Sequence, residues 1–194
     1  MLADIVITVL QILSTFYLTL VLLRFMLQLA RADFYNPISQ FVVKATNPPL
    51  KPLRRVIPGI GGFDGASIVL ALIVQSITFL LIIAALTGGL PAINPLTLLA
   101  WSAVTVLGLI IKIYFWSVLA VVIISWVAPT SNHPAIALVV QITEPVMRPV
   151  RNVIPSLGGL DLSPIIVFLL LNVATVVVSH MAQAVGLSSI GLGL

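Results

Sequence analysis

The stretch Thr46 to Asp64, TNPPLKPLRRVIPGIGGFD, returns without a gap as Thr143 to Asp161, TEPVMRPVRNVIPSLGGLD. At one constant offset Pro48 matches Pro145, Pro52 matches Pro149, Arg54 matches Arg151, Pro58 matches Pro155, Gly61 and Gly62 match Gly158 and Gly159, and Asp64 matches Asp161. So irregular a Pro/Arg/Gly pattern does not recur by chance, and each copy is flanked by long apolar stretches. The repeated unit is therefore a hydrophobic helix, a basic proline-rich loop and a second hydrophobic helix.

Outward from these loops the chain is bilayer material. It is 60% hydrophobic and 7% charged, with a mean hydropathy of +1.24, whereas a soluble domain carries about 25% charged residues. Crossing the hydrocarbon takes roughly 20 apolar residues in a helix, because each backbone polar group needs a partner within the segment. The stretches that qualify run from about 5 to 30, 66 to 86, 96 to 127 and 163 to 185. The first has Asp4 rather than a cation before it and is too long for a signal peptide. The expected fold is all-α, four membrane helices in two parallel-oriented tandem repeats, 1–90 and 96–194, with interfacial loops at 31–65 and 128–162.

Orientation follows from the cations. Arg31, Lys44, Lys51, Arg54 and Arg55 lie in the first loop and Arg148 and Arg151 in the second, while the 87–95 connection and the tail from Gln183 carry no charge. The Lys/Arg excess places both loops in the cytoplasm and both termini and the central connection outside. Two hairpins entering in the same direction are related by a pseudo-twofold axis along the membrane normal.

Each loop reads as two short amphipathic helices separated near Pro48 or Pro145. The first is led by Asn36-Pro37 or His133-Pro134, and the second covers about 49–57 or 146–154. Lys51, Arg54, Arg55, Arg148 and Arg151 then sit at phosphate level, facing lipid or a partner, with anionic inner-leaflet headgroups the expected ligand. Gly61, Gly62, Gly158 and Gly159 turn the chain back into the bilayer, and Asp64 and Asp161 are placed to cap the returning helices. Ser163, followed by Pro164, is a second cap candidate. The same Arg54/Asp64 and Arg151/Asp161 pairs would alternatively form ion bridges at the pseudo-axis or hold headgroups.

Lys112 lies in the middle of the third stretch, where a charge costs roughly 2.5–3.5 kcal/mol and normally faces a bundle interior. Gln75 and Asn172 are repeat equivalents and suggest an intramembrane polar seam with it; the alternative is that Lys112 snorkels. Arg24 reads as a snorkelling anchor and His180 as a packing residue. Cysteine is absent, and His, Asp and Glu show no ligand spacing, so neither a metal nor another cofactor is expected. No nucleotide loop, HExxH or nucleophile elbow is present, which disfavours an enzyme.

The doubled [TN]xPxxxPxRxxIPxxGGxD loop, with Asp33-Phe34-Tyr35-Asn36-Pro37 and Ser125-Trp126-Val127, resembles the YggT family of small bacterial membrane proteins, related to the YlmG proteins of Gram-positive bacteria and plastids. The resemblance implies a link to osmotic-shock tolerance and ion homeostasis, or to division, nucleoid distribution or cytochrome assembly, and brings no catalytic residues with it. Two roles are expected from it and from the residues together. One is an ion pathway through the bundle, alone or as a homo-oligomer. The other is a scaffold whose basic helices bind anionic lipid or a protein. Nucleic acid is not expected as a direct partner.

Overall fold

A computed structural model describes residues 2–59, 61–89, 92–128, 130–131, 133–154 and 161–187. Among these residues all regular structure is helical: α1 (Leu2–Leu29), α2 (Pro37–Val56), α3 (Gly65–Thr87), α4 (Pro95–Val127), α5 (Pro134–Val153) and α6 (Ser163–Ala184). Four of them, α1, α3, α4 and α6, are long and apolar enough to cross a bilayer. They form two hairpins, α1 with α3 and α4 with α6, joined by packing of α3 on α4. Helices α2 and α5 lie at the end of the bundle where α1 and α4 finish, here termed the elbow end.

The sequence suggests a break at the prolines of each elbow, but α2 and α5 are each one continuous helix. Pro48, Pro49 and Pro52 lie inside α2, and Pro145 and Pro149 inside α5. A proline removes the bond to the carbonyl four residues earlier. In α2 this loss falls largely on the exposed face, since Lys44, Pro48 and Pro52 are four apart and all exposed. The opposite face, Ser39, Val42, Thr46 and Leu50, is buried and holds the helix together from below.

The starts of both helices follow from local chemistry. The Asn36 Oδ1 accepts from Ile38 N at 2.9 Å, and the His133 Nδ1 from Ala135 N at 3.2 Å, each ahead of a proline at the first helical position. The Asn36 side chain also reaches the second elbow, where its Nδ2 donates to Pro134 O at 2.7 Å, and Gln141 Oε1 accepts from Asp33 N nearby. These bonds fasten one elbow to the other.

The turn back into the bilayer uses Gly61 and Gly62 at φ +62° and +93°, where side chains other than glycine are strained. Phe63 then lies edge-on to Phe25 of α1, with ring centroids 5.3 Å apart. The equivalents Gly158 and Gly159, with Pro155, lie outside the described residues.

Three apolar clusters fill the bundle. One joins Leu20, Phe25 and Met26 of α1 to Tyr114, Val118, Leu138, Met147 and Val167. A second packs Leu18, Val21, Leu22 and Leu50 against Leu70, Ala71 and Val106. The third, toward the far end, combines Phe79, Val104, Val178, Ala182 and Leu187.

Candidate functional site: an intramembrane chamber and two unequal ion-pair elbows

Lys112 is near the middle of α4 and is exposed, and among the described residues its ammonium has neither a hydrogen bond nor an ion pair. It borders a cavity of about 470 Å³ lined by all four spans: Thr15 from α1, Gln75 from α3, Thr105 and Lys112 from α4, and Thr175 and Ser179 from α6. Gln75 is only 6% exposed, and among the described residues its amide has no hydrogen-bond partner. The structure thus brings Gln75 and Lys112 to one chamber. It does not bring Asn172 there: that residue is exposed, and its amide donates to Phe168 O in its own helix at 2.8 Å. The symmetric polar seam suggested by the duplication is replaced by a one-sided site.

Leu18 and Val178 in the chamber wall also belong to two of the apolar clusters. Phe79, Val104, Val178 and Ala182 lie toward the far end, and Leu18, Val21, Leu22 and Val106 toward the elbows or beside it. A second cavity of about 440 Å³ shares Thr15, Leu109, Lys112 and Trp116 with the first and continues along α1 and α4 to Ala120 and Val139.

At the elbow end the duplicated Arg/Asp pairs form within each repeat, rather than across the axis. Arg54 Nη2 donates to Asp64 Oδ2 at 2.5 Å and to Gln28 Oε1 at 3.0 Å, and the Ser67 hydroxyl donates to the same carboxylate oxygen. Asp64 is therefore held by side chains and makes no side-chain cap bond to α3. In the second copy Arg151 Nε donates to Asp161 Oδ2 at 2.9 Å while its Nη1 reaches Glu144 at 3.1 Å. Asp161 stands one residue before Leu162, the N-cap of α6, and its Oδ1 accepts from Ser163 N at 2.9 Å. Ser163 itself is the first residue of α6 rather than its cap.

Burial separates the copies. Asp64 is 1% exposed and its Oδ1 has no partner, whereas Asp161 is 44% exposed. Burial pushes the Asp64 carboxyl up, but hydrogen bonds from Arg54 and Ser67 and the Arg54 charge outweigh it, leaving the group below its ordinary range. A depressed carboxyl contributes stability that is present above the unfolded value and lost as pH falls through the folded one. Stability in detergent is expected to be flat from neutrality down to about pH 4 and to drop below it, and Asp64→Asn should remove most of that drop. Thermal unfolding across a pH series checks this.

Arg24 does not snorkel. It is 6% exposed, and its Nη1 contacts Val43 O at 3.0 Å, Thr46 Oγ1 at 2.9 Å and Asn47 Oδ1 at 2.9 Å, binding α2 to α1. Sequence reasoning missed this role; the signal available was that the equivalent position holds Val121, so the arginine is not part of the duplicated pattern. Of the basic residues expected to face lipid or a partner, Lys51, Arg55 and Arg148 are exposed, while Arg54 and Arg151 are engaged in ion pairs. His180 is exposed and its Nδ1 lies 2.8 Å from Val176 O. Among the described residues no group of three metal-binding side chains is assembled.

Two matched helical hairpins with proline-containing elbow helices define a multi-pass membrane protein built from a tandem repeat. The model of the CCB3/YggT family matches residues 3–85 and again 100–182, and the chain belongs to that family. It is 49% identical to an uncharacterized protein of Pseudomonas aeruginosa over 92% of this chain and 91% of that one. It is 41% identical to the uncharacterized protein YggT of Escherichia coli K12 over 88% and 87%, and 40% identical to an uncharacterized protein of Vibrio alginolyticus over 81% and 84%. No solved structure matches the chain.

Proposed function

We propose that this chain is a non-enzymatic protein of the bacterial inner membrane, its elbows cytoplasmic and its termini periplasmic, which serves osmotic or ion homeostasis through the chamber at Lys112. The observation that carries the reading is that Lys112 and the buried Gln75, neither with a side-chain hydrogen bond among the described residues, line one cavity at mid-depth of four spans. An ionisable group at that depth is costly and is by default the mark of a functional site or path. In a strain lacking the gene, wild-type protein is expected to restore growth after osmotic upshift and Lys112→Met to fail while reaching the membrane in equal amount. Full rescue by Lys112→Met would overturn the reading.

A scaffold role at the inner leaflet is the second reading. Lys44, Lys51 and Arg55 share the exposed face of α2, with exposed Ile38 and Phe41 beside it, a pattern suited to an anionic surface. Near such a surface each cation is worth about 1 kcal/mol. The triple change Lys44→Gln/Lys51→Gln/Arg55→Gln is therefore expected to weaken retention of phosphatidylglycerol in native mass spectrometry, leaving Lys112-dependent growth intact. Unchanged lipid retention would remove this reading.

A further inference from the structure

The chamber's donors and charge narrow what it can hold. The chain has five acids, and all lie at span ends or in the elbows: Asp4 in the first turn of α1, Asp33 before α2, Asp64 and Asp161 before the returning helices, and Glu144 on α5. None of these side chains lies at the mid-span level of Lys112, so none of the five is placed as its counter-charge. The hydroxyls of Thr105, Thr175 and Ser179 give their protons to Trp101 O, Leu171 O and Val176 O in their own helices. Among the described residues, the donors left to the chamber are the Lys112 ammonium, the Gln75 amide, the Thr15 hydroxyl and the Trp116 indole N–H. Their sum is one positive charge with neutral donors around it.

The adjoining cavity supplies a route. Its walls, Leu109, Ile113, Trp116, Ala120 and Val139, are apolar, with Thr19 and Ser117 among them. Lys112 and Trp116 are both exposed at the side of the bundle. From Lys112 to Ala120 the cleft runs about 12 Å along α4 at 1.5 Å per residue, ending near the elbow helix α5.

We propose that Lys112, Gln75 and Thr15 form a binding site for a singly charged anionic group, reached sideways through the cleft between α1 and α4. The group is either a free monovalent anion or the carboxylate head of an amphiphile whose chain lies in the cleft. The inference shares the chamber with the function proposed above but requires neither flux nor a stress phenotype.

Trp116 borders both cavities and reports on them. Full-length protein in phosphatidylcholine nanodiscs would be titrated with iodide, with caesium, with dibromostearate and with dibromo-phosphatidylcholine, and the signal of a Trp116→Phe protein subtracted. Quenching by iodide well above that by caesium assigns a free anion. Quenching by dibromostearate well above the neutral brominated lipid assigns an amphiphile. In either case Lys112→Met is expected to weaken the effect about tenfold, equivalent to ~1.4 kcal/mol. Lys112→Arg should retain it, and Gln75→Leu should weaken it less. Lys112→Gln serves if the Met variant does not insert. Equal quenching by anionic and non-anionic probes, or anion quenching indifferent to Lys112, overturns the proposal. Loss of osmotic rescue with anion quenching unaffected by Lys112→Met would leave the stress role standing and sink the anion site; anion binding with full rescue by the same variant would do the reverse.

Discussion

Arg54→Ala is expected to destabilise the protein by about 3–5 kcal/mol, because it strands the Asp64 carboxylate in a sealed site, whereas Arg151→Ala should cost no more than about 1 kcal/mol. The two arginines occupy the same position of one repeated motif and each bridges the matching aspartate. Their surroundings differ. Asp64 is 1% exposed and depends on Arg54 and Ser67, while Asp161 is 44% exposed and has solvent in reach. Removing a partner from a buried charge is far more costly than breaking a pair that water can replace. Reversible unfolding in bicelles, read on both single variants and the double, checks the contrast; equal costs would show that burial does not decide the strength of these pairs. Asp64→Asn should be milder than Arg54→Ala, since it removes the buried charge itself and retains an acceptor for Arg54.

Arg24→Leu is expected to cost about 2–3 kcal/mol, leaving acceptors at Val43 O and Asn47 Oδ1 without their charged donor in a buried site. The damage should be local before it is global. Arg24 is the polar link between α1 and the middle of α2, so amides of α2 should exchange faster while those of α3 and α4 keep their protection. Hydrogen exchange by mass spectrometry resolves this, and uniform loosening of all six helices would contradict it. Because position 121 in the second repeat is valine, α5 must be held without such a link. It relies on apolar contacts from Leu138, Ile142 and Met147 and on the bonds from Asn36 and Asp33 to Pro134 and Gln141.

The particular residues show why some features were legible in the chain and others were not. The caps at Asn36 and His133, the turn glycines Gly61 and Gly62 and the four spans rest on interactions within a few residues, and the sequence states them directly. The continuous course of α2 through Pro48, Pro49 and Pro52 was not legible, since proline argues locally for a break. What overrides it is the burial of Val42, Thr46 and Leu50 against the spans. The inward turn of Arg24 was equally hidden. An arginine near a span end reads as a snorkelling anchor until a second helix is seen to lie over it with Thr46 and Asn47 in place.

By itself the sequence determined that this is a duplicated, four-span helical membrane protein with basic elbows, because apolar length, backbone hydrogen bonding and a repeated motif are properties of the chain alone. Only the tertiary structure decided which members of each duplicated pair matter. It buried Asp64 and left Asp161 exposed, and it placed Gln75 on the cavity that Lys112 lines while Asn172 bonded its own helix. A residue's neighbours come from other helices and from the depth at which they meet, and two copies of one motif packed on different faces acquire different partners.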